Sequence, residues 1–206
     1  MGMMERRCSD ISDILIRPAD FFRSHQDTGL SEALRIYVLL LVLYALLAGI
    51  VRMIGNSLML TDVMMRFPLI GPFIAQKVCP LFAGYGFLMM IGTGLIGLYL
   101  VFILSALLHP FVLLAGGEQG IGQTIKVLSY AAAPAFLIGW IPVVGIIGLL
   151  WSVLITIQGL QVCAGLTYVR SLGVVVVPIL LLLLVLGLGL GMVHTVSMIL
   201  NPSYWV

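Results

Sequence analysis

Charge is scarce in this chain: Asp, Glu, Lys and Arg together make up 9% of its 206 residues, against about a quarter in ordinary soluble domains. A water-soluble fold is excluded, because too few polar side chains exist to cover it. The net charge of +2 lacks the basic excess that would point to nucleic acid. Cysteine is sparse too. Cys8, Cys79 and Cys163 have no metal-ligand spacing, and an odd scattered set gives no disulfide framework. His25, His109 and His194 fall in different regions, and no His-Glu-x-x-His motif is present. Asp and Glu are missing from the centres of the apolar runs, where proton-coupled transporters place an ionisable group. The reading is therefore non-enzymatic, with no catalytic, cofactor-binding or metal-ligating residue and no cofactor. Arg6 stands where N-myristoylation needs Ser or Thr, and the first apolar run starts too late for a secretory signal.

Apolar residues make up 62% of the chain, and they fall into runs long enough to cross a bilayer core, which takes about 20 residues each. The fold class this implies is all-α, a polytopic membrane helical bundle of five transmembrane helices with a short amphipathic N-terminal segment. The spans are expected at about 33–54, 81–108, 123–139, 143–164 and 174–200, after a cytoplasmic tail at 1–32. Residues 33–206 form one membrane domain. Arg35 and Arg52 flank span one and can snorkel to the interfaces, as can Lys126 in span three. Asn56 to Pro80 mixes charges with Pro68, Gly71 and Pro72, and reads as an interfacial loop. Span two has Pro110 near its end, so a bent extension to Ala115 is expected, or else a split near Gly92 to Gly97. Gly116 and Gly117 stop it, since consecutive glycines favour non-helical backbone at helix ends.

An odd number of spans puts the termini on opposite sides. Arg6, Arg7, Arg17, Arg23, Arg35, Lys126 and Arg170 share the N-terminal side, against Arg52, Arg66 and Lys77 on the other. Seven against three places the N-terminus in the cytoplasm and the tail ending in Tyr204 and Trp205 outside.

Three local patterns carry more than hydropathy. Ile11, Ile14 and Leu15 share a helical face before Pro18, after which Phe21 and Phe22 are placed to enter the headgroup boundary while Arg23 meets phosphates. In span three, Pro134 frees the carbonyl of Tyr130 among Ala131, Ala132, Ala133 and Ala135. That pattern suits a packed, proline-kinked helix or a substrate or ion site. The short turn at Trp140 to Pro142 makes spans three and four antiparallel neighbours, and symmetry about it sets Ala135 opposite Gly148 and Ala131 opposite Ser152. Gly187, Gly189 and Gly191 add one weak small-residue pair. Ser152, Thr156, Gln158 and Gln161 are the polar groups of span four.

The order of these features resembles the Yip1 domain family of five-span membrane proteins. The resemblance covers nearly the whole chain and rests on Arg17-Pro18-Ala19-Asp20-Phe21-Phe22, Gly116-Gly117 before Gly122-Gln123-Thr124, Tyr130 with Pro134, and Trp140-Ile141-Pro142 leading to Gly148-Leu149-Leu150-Trp151. The family's Gly-Tyr signature has Ser129 in place of its Gly, and its Asp-Leu-Tyr-Gly-Pro signature is reduced to Gly71-Pro72. Eukaryotic relatives carry a long cytoplasmic N-terminal region, act in vesicle trafficking and bind prenylated Rab-type GTPases. The short tail here is similar to that of a prokaryotic member, which implies the cell membrane. The resemblance implies a membrane-organising or trafficking-type scaffold or adaptor, with the tail and the Gly116-Gly117 loop as docking surfaces. Its partners would be the lipid bilayer, a peripheral protein at the cytoplasmic face, and other copies or chains in an oligomer. The alternative is a small permease or channel-like transporter with a path near Tyr130, Pro134 and the polar face of span four.

Overall fold

The computed structural model describes residues 11–54, 86–141 and 143–200. Among them every regular element is a helix, and five stretches are long and apolar enough to cross a membrane. Residues 11–16 form α1. There follow α2 (Pro18–Ser24), α3 (Leu30–Ile54), α4 (Gly86–Leu114), α5 (Ile121–Ala131), α6 (Ala133–Ile138), α7 (Gly145–Ala164) and α8 (Tyr168–Leu200). Cys8, Cys79, the expected interfacial loop, Pro142 and the C-terminal Tyr204 and Trp205 lie outside the described residues.

Helix ends follow local chemistry, and in three places they depart from the apolar pattern. First, α4 does not split at its glycines, and the extension expected beyond Leu108 runs on in the same helix through Pro110 to Leu114. Proline removes one backbone bond, to the carbonyl of Ala106, which a long helix tolerates. Its end is fixed by Gly116, with φ +91°. The N–H of Gly117 donates to the Val112 carbonyl at 2.9 Å and that of Gly116 to Leu113 at 3.0 Å, the paired bonds of a Schellman cap. Second, span three, Ile121–Ile138, is interrupted at Ala132, which keeps helical φ −71° and ψ −13°, so α5 and α6 follow one another within one proline-disturbed span. Pro134 has no N–H for Tyr130 and its ring crowds that carbonyl, so it sits in the first turn of a new helix instead. Third, α8 starts at Tyr168, not Val174. The turn needs only Gly165, at φ +65°, and the two residues after it. Gly173 in a helix costs about 1 kcal/mol, too little to end one.

The third span is the hub: α5 packs on α3, α4 and α7, while α6 packs on α3 and α7. The third and fourth spans are 44% buried within the protein, the second and fifth only 17%. Leu180 to Leu184 on α8 are all exposed, as are Ile103 and Leu107 on α4. Helices that are apolar all round and packed on one side only are stable where the solvent is lipid. Spans one and two meet where Gly97 admits Leu41 and accepts the Tyr37 hydroxyl proton at its carbonyl.

Candidate functional site

The residues singled out in span three converge with α2 and α7 at one end of the bundle. Tyr130 is fully buried. Its ring lies edge-on to Phe21, with centroids 4.9 Å apart at 80°, and to Phe22 at 6.2 Å. Phe21 also stacks on His25 at 4.1 Å. Such aromatic pairs add to the area they bury. Pro18, which opens α2, is buried as well.

Phe21 and Phe22, expected in the headgroup boundary, are instead 2% and 1% exposed inside the protein. The apolar face of a short amphipathic helix fits protein or lipid equally well. Here α7 offers a notch: a Cβ at Gly159 would lie 2.7 Å from Val127 Cγ1 and 2.8 Å from Phe22 Cζ. The missing side chain is the space that Phe22 fills. Arg23 faces outward and pairs with Asp20 at 3.2 Å. The preceding α1 is held through Ile14, fully buried, and the Leu15 carbonyl, which accepts from Trp151 Nε1 at 3.2 Å.

Beside this aromatic cluster sits Lys126, only 3% exposed. It does not snorkel to water. Its Nζ donates to the carbonyl of Gln26 at 2.8 Å, while Gln26 Nε2 donates to the Val162 carbonyl at 3.1 Å. The segment after α2 is thus tied to α5 and α7 at once. Between α2 and the last turns of α7 opens a cavity of about 580 Å³. Its polar walls are Arg23, Gln26, Gln158, Gln161 and Tyr168.

Ser152 bonds one turn nearer the loop than the symmetric pairing with Ala131 sets it: its Oγ accepts the Ala135 N–H at 3.2 Å. That N–H belongs to the first turn of α6, where helix donors lack internal partners, so α7 caps α6 from the side. A Cβ at Gly148 would strike the Pro134 carbonyl at 2.7 Å and Ile138 Cγ1 at 2.6 Å. The shift has one cause. Every Cα–Cβ bond tilts toward its helix N-terminus, so α7 side chains lean toward the turn and those of α6 lean away from it. Ala131 remains buried. Ser129 is buried too, its Oγ donating to the Ile125 carbonyl at 2.7 Å, which satisfies the hydroxyl that replaces the signature glycine.

Gly116 and Gly117 lie near this end but serve the α4 cap, where Arg170 Nη1 adds a hydrogen bond to the Ala115 carbonyl at 3.3 Å. Among the described residues no three His, Cys, Asp or Glu side chains gather as metal ligands, and Cys163 is buried and free. Sequence reasoning missed the Gly159 notch and the Gln26 bridge. Only the spacing of Gln158 and Gln161, on one helical face near the end of an apolar run, hinted at the cavity.

Two comparisons with known proteins find nothing: no curated protein and no solved structure matches the chain. A family model does match, that of the Yip1 domain, over residues 12–189. That stretch begins within the docked N-terminal segment, includes Tyr130 and Pro134, and reaches well into α8. With its five apolar membrane-spanning helices, the chain is an integral, multi-pass membrane protein and belongs to the Yip1 domain family.

Proposed function

We propose that this protein is a non-enzymatic membrane scaffold or adaptor whose N-terminal segment, held rigidly on the third and fourth spans, presents a docking face to a peripheral protein. The observation that carries this reading is the two-sidedness of α1 and α2. Their inner side buries Ile14, Phe21 and Phe22, while Ile16, Arg17, Asp20 and Arg23 stand exposed. A face with both signs of charge and one apolar anchor, Ile16 at 74% exposure, suits a protein surface better than a bilayer interior. The Lys and Arg count assigns this end to the cytoplasm, in the cell membrane if the source is prokaryotic.

The permease reading has less support. Its path would run beside Tyr130, Pro134 and the polar side of α7. Tyr130 and Pro134 are buried, Ser152 Oγ is taken by the Ala135 N–H, and Thr156 Oγ1 donates to the Ser152 carbonyl at 2.8 Å. Ser152 joins two helices and Thr156 bonds within its own, while Gln158 and Gln161 line a cavity whose walls include neither Tyr130 nor Pro134.

Photocrosslinking in native membranes tests the proposal. A photoreactive residue at Ile16 should yield a protein adduct that a Gly159→Leu change weakens, because it loosens the seat of α2. The same probe at lipid-facing Leu183 should give none. Flux of a solute across proteoliposomes that depends on the protein would favour the permease.

A further inference from the structure

The cavity between α2 and α7 has a chemistry of its own. Its walls carry donors in excess of acceptors. Arg23 supplies five N–H groups, and Asp20 engages only Nη1. Gln161 lines the cavity, and its buried Nε2 has no hydrogen-bond partner among the described residues. Gln158 and Tyr168 complete the polar wall, and no Asp or Glu lines it. Behind it, Lys126 adds a second positive charge through the Gln26 carbonyl it holds. An unpartnered buried amide is costly, so a turn of the Gln161 side chain that brings Nε2 to an acceptor in the cavity gains what the protein alone leaves unmade.

The position narrows the ligand. The apolar stretch of α7 ends at Ala164 and that of α8 begins at Tyr168, so the cavity lies at the depth of lipid headgroups. Val162 and Leu166 give it an apolar rim. The carbonyl end of α7, unfavourable to an anion, is partly neutralised where Gln26 covers Val162. Tyr168 opens α8, whose first N–H groups lie at the positive pole of its dipole.

We propose that this cavity binds a phosphate group, carried by a glycerophospholipid headgroup, with Arg23 and the Gln161 amide as its donors. The site does not require the proposed protein partner, although Arg23 is shared with that docking face.

The test is native mass spectrometry of the full chain in detergent, offered phosphatidylglycerol, phosphatidylcholine and diacylglycerol in equal amounts. Both phospholipids should be retained over diacylglycerol. Arg23→Gln combined with Gln161→Leu should lower phospholipid adducts about tenfold, the loss expected for one charge-assisted hydrogen bond. Arg35→Gln, which removes an exposed charge on α3 outside the cavity, should leave them unchanged. Equal retention of diacylglycerol overturns the proposal even if the double variant fails to fold, and so does an equal loss with Arg35→Gln. Displacement of the lipid by excess inorganic phosphate would overturn the lipid as the source of the phosphate.

Discussion

Removing the ring of Phe22 should release α2 and leave the bundle intact. Phe22 is 1% exposed and is held by Tyr130 on α5 and by the Gly159 notch on α7. Burying such a side chain is worth about 1.5–3 kcal/mol by area, and truncation to Ala costs about 3–5 kcal/mol once the cavity is included. Because α2 is seven residues long and peripheral, that cost falls on local opening rather than on the global fold. A loss of 3 kcal/mol raises the open population by about a hundredfold.

Trypsin reads this population at Arg23, at a dose where cleavage is slower than reclosing. Phe22→Ala should accelerate the cut by about that factor in detergent and in nanodiscs alike. Gly159→Leu approaches the contact from the other side. Three atoms, Val127 Cγ1 and Phe22 Cζ and Cε2, already lie within 2.7 to 2.9 Å of an added Cβ. The overpacking costs about 1–3 kcal/mol, which equals or exceeds the roughly 1 kcal/mol of helix propensity gained. Acceleration at Arg23 with no new cut at Arg35 in α3 is the expected pattern. Unchanged cleavage in both variants would refute the docked position of α2, and acceleration only where lipid is present would restore the headgroup reading.

Other substitutions test the remaining contacts. Ser152→Ala leaves the Ala135 N–H without its acceptor and should lower stability by about 1–2 kcal/mol; an unaltered thermal midpoint would contradict the side cap. Lys126→Ala strands the Gln26 carbonyl and empties packed space, so it should lower the midpoint more than Lys126→Met, which keeps the volume and removes a buried charge. The reverse order would show that the ammonium itself carries the contact. In a cysteine-free background, Ala135→Cys with Ser152→Cys should oxidise faster than Ala131→Cys with Ser152→Cys, because disulfides need Cα atoms about 4.4–6.8 Å apart. Equal rates would overturn the side-chain tilt as the source of the register.

How much of this was legible from sequence depends on what each feature requires. Apolar runs identify spans because lipid imposes their length, and Gly116 with Gly117 marks a helix end because only glycine takes φ +91° without strain. Ser152 against Ala135 was not legible, since pairing by residue number ignores the direction of Cβ. The break at Ala132 was legible only as a disturbance near Pro134, because proline suits a kink and a new first turn equally. Phe21 and Phe22 have the pattern of a surface helix; whether that surface is lipid or protein depends on Gly159, more than a hundred residues away among 23 glycines. Lys126 was expected at water for a similar reason. Its acceptor is a backbone carbonyl from another segment, which no residue type announces.

The central claim is that the N-terminal segment is part of the folded bundle and not a membrane-bound or free tail. Pulsed electron paramagnetic resonance tests it most directly, with spin labels at Arg23→Cys on α2 and Leu154→Cys on α7, both exposed positions, in the cysteine-free full chain in nanodiscs. A single narrow distance distribution, the same in zwitterionic and anionic lipid, is predicted. A broad distribution, or one that shifts with the lipid, would contradict the account.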